Sequence, residues 1–183
     1  MISAWALHSK RKRYSRILVS ILLLVAVDSF GDTTYVTPDD FLRQTFNEVP
    51  QPSLLWLDNS AQTQLSAVLG HRYPQARMHY WRLAHRTAWI LDEVGKEYPI
   101  TAGFVIDNDR IERADVLIFR ESRGSEIHLP AFLRQFVDAR LEGDGTDGEK
   151  LSKNIDGITG ATLSVNAMRR MAQAALVLNR LAP

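Results

Sequence analysis

The strongest constraint on the fold is a predicted β-hairpin in the middle of the chain. Residues 100–106 form a β-branched, apolar run that follows Pro99. Residues 107–110 read Asp-Asn-Asp-Arg, and Asp and Asn favour tight turns because they tolerate left-handed backbone conformations. Polar and apolar residues then alternate over 111–119, so the pattern predicts two antiparallel strands. The alternation assigns one face to Ile111, Arg113, Asp115, Leu117 and Phe119, and the other face to Ala114, Val116 and Ile118.

Further strands and helices are predicted around this hairpin. Residues 77–94 are rich in aromatic residues and lack helix caps, which indicates strands. Thr37 and Pro38 suit a helix start, and the helix is expected to end at about Glu48. A second helix is expected from a cap at Ser60 to a stop at Gly70.

Two helices are predicted in the C-terminal half. One opens at Pro130, and the last runs from about Leu163 to Leu181, with a polar, glycine-rich loop over 142–153 between them. The buried stripe of the last helix is expected to contain Val165, Met168, Met171, Ala172, Ala175 and Leu176. The predicted fold class is therefore α+β, an antiparallel twisted sheet with flanking helices.

Composition excludes several classes of function. Lys and Arg number 22 against 21 Asp and Glu, so the formal net charge of +1 gives no field to attract nucleic acid. The cysteine count is zero, which excludes disulfides, thiolate metal sites and iron–sulfur clusters. The five histidines form no spacing typical of a metal site, so no metal is expected. Any redox role would therefore need a cofactor held by other atoms.

The N-terminal segment is predicted to be a signal peptide or signal anchor over residues 1–31. A basic cluster at 10–16 precedes an apolar run from Ile17 to Val27, which suits a signal core and is short for a membrane span. Cleavage after Gly31 and retention as an anchor both remain open, and a buried core helix is the alternative. Export would place the domain at 32–183 in the periplasm or at the membrane facing it, because positive flanks stay inside.

A short stretch near the C-terminus carries the candidate chemistry. Residues 156–164 read Asp-Gly-Ile-Thr-Gly-Ala-Thr-Leu-Ser and lie where a loop becomes the last helix. Gly157 and Gly160 are expected to allow positive φ, and the helix start suits an anion at Thr162. Ser164 can add a hydroxyl donor, and Asp156 is expected to cap the turn. The alternative is an ordinary glycine loop before a Thr or Ser cap; a P-loop is excluded because its lysine is missing.

This stretch resembles the flavinylation motif of the FMN-binding domain family. Residues 156–162 match the family order of Asp, a small residue, any residue, Thr, Gly, Ala and Thr. The similarity extends over residues 88–178 and includes Gly95-Lys96-x-Tyr98, the hairpin, and Glu121 with Gly124. In that family a flavin transferase attaches FMN through its phosphate to the last threonine. Known members include flavin-bearing subunits of sodium-translocating NADH:quinone reductase and of the Rnf complex.

The resemblance implies a set of site residues. Thr162 would carry FMN as a phosphate ester, and the flavin ring would rest against the loop Glu121-Ser122-Arg123-Gly124. Arg123 stands where the family commonly has proline, and its charge is a candidate to stabilise an anionic reduced flavin. Tyr98 is a further aromatic candidate for flavin contact. The surrounding motif residues implied in cofactor binding are Asp156, Gly157, Thr159, Gly160, Ala161, Leu163 and Ser164.

The resemblance implies an exported electron carrier without a catalytic residue of its own. It would relay electrons between a membrane donor and a periplasmic redox partner. Two alternatives remain: a small flavin-dependent reductase with its own substrate, for which the sequence shows no acid/base constellation, and a flavin-free sensing or scaffold domain. Glu121 and Glu126 could suggest an acid/base pair, but loop carboxylates are expected to be solvated surface. Most of the three tryptophans Trp56, Trp81 and Trp89 are expected in the sheet core rather than on a flavin.

Overall fold

The computed structural model describes residues 32–143 and 149–183, and within them the predicted α+β fold is confirmed. Six antiparallel strands form one sheet in the order β1-β6-β5-β4-β3-β2. The strands are β1 (Thr33–Thr34), β2 (Ser53–Trp56), β3 (Arg77–Leu83), β4 (Arg86–Val94), β5 (Pro99–Asp107) and β6 (Arg110–Phe119). The predicted central hairpin is β5–β6, and its tight turn places Asn108 and Asp109 at positive φ.

Helices lie on both faces of the sheet. The helices are α1 (Pro38–Thr45), α2 (Asn59–Leu69), α3 (Pro130–Leu133) and α4 (Thr162–Leu181), and 3-10 turns at Ser125–His128 and Arg134–Phe136 flank α3. The main core lies between the sheet and the helices α2 and α4, where the predicted stripe of α4 is buried. A smaller core on the other face joins α1 to the sheet through Phe41, Leu42 and Phe46.

Two β-bulges overturn the predicted strict alternation of β6. Thr101 pairs with Ile118 and Ala102 with Val116, which leaves Leu117 as an extra residue between them. A second register shift leaves Glu112 unpaired in the same way. Each bulge moves the following side chains to the other face. The main core therefore holds Ile111, Ala114, Val116 and Phe119 together, whereas Leu117 packs with α1.

The ends of the first two helices differ from the prediction. Thr37 caps α1 as expected, since its hydroxyl accepts from the N–H of Asp40, but α1 ends at Thr45 rather than Glu48. The cap of α2 is Asp58, whose carboxylate accepts from the N–H of Ala61 at 2.8 Å, and Ser60 lies inside the helix. Gly70 ends α2 in the left-handed conformation, as expected.

Short strands were missed where the sequence reads as loop. Strand β2 lies between two prolines and a helix, and its four residues are too few to show a period. The predicted loop over 142–153 contains residues outside the described part of the chain. On its flanks, β7 (Leu141–Glu142) pairs with β8 (Lys150–Leu151).

The expected signal or anchor over residues 1–31 lies outside the described residues. Within residues 32–143 and 149–183, no helix combines the length and the apolar character that a membrane crossing requires. Strand β1 begins directly after Asp32 and pairs with the end of β6, with Thr33 opposite Phe119. The chain therefore enters the sheet beside the loop that follows β6.

Candidate functional site

Three segments that are distant in sequence meet around one open cleft. They are the turn between β4 and β5, the loop that follows β6, and the first turn of α4. The cleft has a volume of about 520 Å³, within the roughly 300–1,000 Å³ typical of ligand sites. Its wall is formed by Lys96, Glu121, Ser122, Arg123, Gly160, Ala161, Thr162, Leu163 and Ser164.

Glu121 fixes one side of the cleft by holding the β4–β5 turn. Its Oε1 atom accepts three backbone N–H groups, from Lys96 at 2.5 Å, Glu97 at 2.7 Å and Tyr98 at 3.0 Å. Gly95 makes room for this carboxylate, because a Cβ there would lie 2.9 Å from Oε1. The carboxylate is thus a structural acceptor, which leaves it poorly placed to serve as a general base.

The three N–H bonds also set the charge state of Glu121. Burial alone raises the pKa of this carboxyl, but the donors of Glu97, Tyr98 and Lys96, with the nearby Lys96 charge, outweigh burial. The net effect lowers the pKa of Glu121 below its usual 4.5. The side chain is therefore ionised at neutral pH, and the turn that presents Lys96 is held by a negative charge.

Gly124 joins the loop after β6 to the start of α4. It adopts φ of +87°, a left-handed conformation that favours glycine. A Cβ at this position would lie 2.6 Å from Ser164 Oγ and 3.2 Å from Ala161 Cβ. Gly124 thus allows the loop after β6 to pack closely against the start of α4, although it does not form part of the cleft wall.

Thr162 is the first residue of α4 and is exposed. Within the described part of the chain, its hydroxyl makes no hydrogen bond. The N–H groups of Thr162, Leu163 and Ser164 precede the first intrahelical bond, which Val165 donates to Ala161. The N-cap Ala161 provides no side-chain cap, and the first turn carries no acidic residue. This 20-residue helix therefore presents free donors and its positive dipole end to the cleft.

The cleft combines positive charge with one exposed apolar side chain. Lys96 and Arg123 are exposed and line opposite segments of its wall, and Lys96 also pairs with Glu97 at 2.9 Å. Leu163 is 49 % exposed and adds an apolar surface to the wall. An anionic group with a flat apolar part would match this wall, because the donors and cations suit the anion and Leu163 suits the apolar surface.

The structure brings only part of the predicted residues to the cleft. Ser122, Arg123 and the motif residues from Gly160 to Ser164 line it, together with Glu121. Lys96 was not predicted as a site residue, although the quoted Gly95-Lys96-x-Tyr98 pattern was the signal for it. The predicted residues that do not line the cleft are Tyr98, Gly124, Asp156, Gly157 and Thr159.

Two expectations about the motif loop are wrong. Gly160 adopts φ of +83°, but Gly157 has no positive φ. Asp156 does not cap the turn with its carboxylate: its recorded partner is the Asn154 amide at 3.5 Å, and its N–H donates to Gln135. The loop is held by Gln135 at this point, so the carboxylate of Asp156 stays exposed in solvent.

No tryptophan or histidine of the described residues lines the cleft. Trp89 is buried and stacks on Tyr80 at 4.8 Å, as expected for the core. Trp56 is 64 % exposed at the sheet edge and lies outside the core. Trp81 packs partly buried against the α1 core. Within residues 32–143 and 149–183, no three His, Asp or Glu side chains are grouped to hold a metal ion.

The site residues fit a flavin mononucleotide by chemistry. The uncapped start of α4 suits a phosphate, and the exposed Thr162 hydroxyl is free to be esterified. No curated protein and no solved structure matches the chain significantly. Residues 95–177, which include all three cleft segments, match the family model described as the FMN-binding domain. This match supports placing that part of the chain in the FMN-binding domain family.

Proposed function

We propose that the protein is an electron carrier with FMN attached covalently through its phosphate to Thr162. The proposal depends on one observation: within the FMN-binding match, the exposed Thr162 hydroxyl lies at an uncapped helix start and shares a cleft with the loop over 121–124. Esterification would join Thr162 Oγ1 to the phosphorus of an activated FMN donor, whose leaving group departs while the hydroxyl loses its proton.

The cleft residues would hold the group in distinct ways. The N–H groups of the first turn of α4 and the hydroxyl of Ser164 would bind the phosphate oxygens. Leu163 would pack against the ring, and Arg123 would face developing negative charge. Bound FMN supplies one- and two-electron transfer, and the protein sets its potential and exposure.

The open cleft favours a carrier over a reductase. Glu121, the carboxylate of the cleft wall, is engaged by three backbone N–H groups, so no free carboxylate lines the cleft to act on a substrate. The function as a carrier also requires partners. We propose a flavin transferase for maturation and redox proteins at the membrane or in the periplasm, with residues 1–31 directing export.

Intact mass after co-expression with a flavin transferase tests the attachment. We expect wild type and Thr63→Ala to gain one FMN-phosphoryl mass, located on the peptide that contains Thr162. We expect Thr162→Ala to gain none while keeping its circular dichroism spectrum. Thr63 is the matched control because it is also an exposed threonine in the first half of a helix, but it does not line the cleft. Unmodified wild type, or modification that survives in Thr162→Ala, would contradict the proposal.

The role of Arg123 can be measured on the flavinylated protein. Arg123→Gln removes a positive charge from the cleft wall, so the anionic reduced flavin should lose stabilisation and the reduction potential should fall. Arg134→Gln serves as the control, because Arg134 is exposed but does not line the cleft. An equal potential in both variants would remove Arg123 from the site.

A further inference from the structure

A second groove runs along α4 on the side of the segment that precedes the motif. It has a volume of about 390 Å³ and lies between residues 150–155 and the helix. Among the described residues, three cationic side chains line it and no carboxylate does. The lining residues are Lys150, Leu151, Lys153, Asn154, Ile155, Arg169 and Gln173. We call this surface the basic groove.

Neutral partners hold the side chains of the basic groove in place. The guanidinium of Arg169 donates to the carbonyl of Ile155 and, at 3.4 Å, to Asn166. The ammonium of Lys153 donates to the carbonyl of Val137. These acceptors are uncharged, so they orient both cations without neutralising them. The amide of Gln173 is fixed in the same way by the carbonyl of Glu149 at 2.6 Å.

Other cations along α4 are neutralised by buried carboxylates. Arg170 pairs with Glu93 at 2.7 Å, and Arg180 pairs with Glu149 at 2.6 Å. By contrast, within the described part of the chain Lys150, Lys153 and Arg169 have no ion pair, although Glu142 lies opposite Lys150 in the β7–β8 register. The carboxylate of Asp156 lies 3.5 Å from the Asn154 amide, at the edge of the groove. The described residues that line the groove therefore carry three positive charges and no negative one.

The position of the basic groove relates it to the candidate site. Arg169 lies seven residues after Thr162 on the same helix, which is about 10 Å along the axis at 1.5 Å per residue. Residues 153–155 lead directly into the motif at 156–162. A ligand in the groove would therefore lie beside the segment that presents Thr162.

We propose that the basic groove docks an acidic segment of a partner protein. Carboxylate side chains complement three cations held apart on two chain segments, and the proximity to Thr162 suits an electron-transfer partner. The overall net charge of +1 lacks the broad positive field that nucleic acid or an anionic membrane would require, so an acidic protein fits better. The identity of the partner as a redox protein depends on the proposed function, whereas the docking of acidic chains does not.

A fluorescent hexaglutamate peptide, titrated by anisotropy, tests the docking. We expect binding at low salt, where the Debye length is about 30 Å, and much weaker binding at physiological salt, where it is about 8 Å. Lys150→Gln combined with Lys153→Gln should weaken binding by about fivefold, because two exposed ion pairs are lost. Arg169 is left intact, since it holds the carbonyl of Ile155 directly before the motif. Lys153→Gln keeps an N–H donor for the carbonyl of Val137.

The matched control removes the same charge elsewhere. Arg43→Gln combined with Arg77→Gln alters α1 and β3, away from the basic groove, and should leave the affinity unchanged. Equal weakening in both double variants, or binding to phosphatidylserine vesicles without binding to the peptide, would overturn the proposal. Thr162→Ala should bind the peptide as wild type does. If the peptide fails to bind while wild type still takes up FMN, the docking proposal is wrong and the proposed function is unaffected.

Discussion

At the scale of single residues, Glu121 shows how one carboxylate can organise a site that it does not serve chemically. Its contacts depend on a turn more than twenty residues earlier in the chain, which β4, β5 and β6 bring alongside it. Sequence patterns cannot reveal this pairing, because the approach depends on strand register. The same register brings Lys96 to the cleft.

The lowered pKa of Glu121 predicts a pH-dependent contribution to stability. A depressed folded-state pKa stabilises the fold above the unfolded value of 4.5, and the contribution is lost as pH falls through the folded pKa. Urea unfolding of wild type and Glu121→Gln should therefore show a constant difference near neutral pH that shrinks below about pH 4.5.

Glu48→Gln is the control for that measurement. Glu48 is exposed and makes no side-chain hydrogen bond to another described residue. We expect its difference from wild type to stay near zero across the same pH range. A difference for Glu121→Gln that does not change with pH would show that the three N–H bonds do not depend on its charge.

Alanine substitutions at Gly124 and Gly160 distinguish the cost of backbone strain from the cost of a steric clash. Both have positive φ, but only at Gly124 would a Cβ meet other atoms, at 2.6 Å from Ser164 Oγ. Gly160→Ala should cost about 1 kcal/mol of unfolding free energy from strain alone, and Gly124→Ala distinctly more. Equal losses, measured by urea unfolding, would show that the loop moves away from α4 without cost.

Among the helices and strands, the sequence predicts those in which the alternation of apolar and polar residues repeats several times. The β3–β4 and β5–β6 strands and the stripe of α4 are confirmed, because alternation and helical spacing repeat several times in each. The bulges at Glu112 and Leu117 could not be predicted from the sequence, because one extra residue in a strand hardly changes its overall apolar content. The position of Thr162 at a helix start could be predicted from neighbouring residues. The approach of the loop after β6 to Thr162 depends on the tertiary fold and could not be derived from local sequence patterns.

The cap of α2 provides a direct test at this scale. Asp58→Ala removes the acceptor for the N–H of Ala61 and should cost about 0.5–2 kcal/mol of unfolding free energy. Ser60→Ala should change stability little, because Ser60 is the second residue of the helix rather than its cap and alanine favours helix. Chemical denaturation of both variants distinguishes the two positions. A larger loss for Ser60→Ala would contradict the observed helix start.

At the scale of the whole molecule, one buried carboxylate connects the sheet with α4 and with the residue that follows α2. Glu93 on β4 accepts from Arg170 on α4 at 2.7 Å and contacts His71, just after α2, at 3.0 Å. The ring of His71 also bonds the carbonyl of Arg72, and these bonds raise its pKa above 6.5 despite partial burial and the Arg170 charge. The ring thus links the end of α2 to the sheet, and this link is stronger when the ring is protonated.

This raised pKa predicts how stability changes on the alkaline side. A raised folded-state pKa contributes fully below the unfolded value of 6.5, and the contribution is lost as pH rises through the folded pKa. The loss of unfolding free energy in His71→Gln should therefore be larger at about pH 5.5 than at about pH 8.5. His79→Gln, on β3 and without the Glu93 contact, should show no such trend.

The entry of the chain into the sheet has a mechanical consequence. Asp32 bonds the side chain of Arg120 at 3.1 Å, and Arg120 directly precedes Glu121 in the cleft wall. From Asp32 onward, the chain therefore lies against the sheet with no spacer between Asp32 and the cleft wall. A force or a fixed orientation imposed at Asp32 would therefore be transmitted directly to the cleft wall. A long flexible linker inserted before Asp32 would let the domain rotate and would change which surfaces the cleft can face.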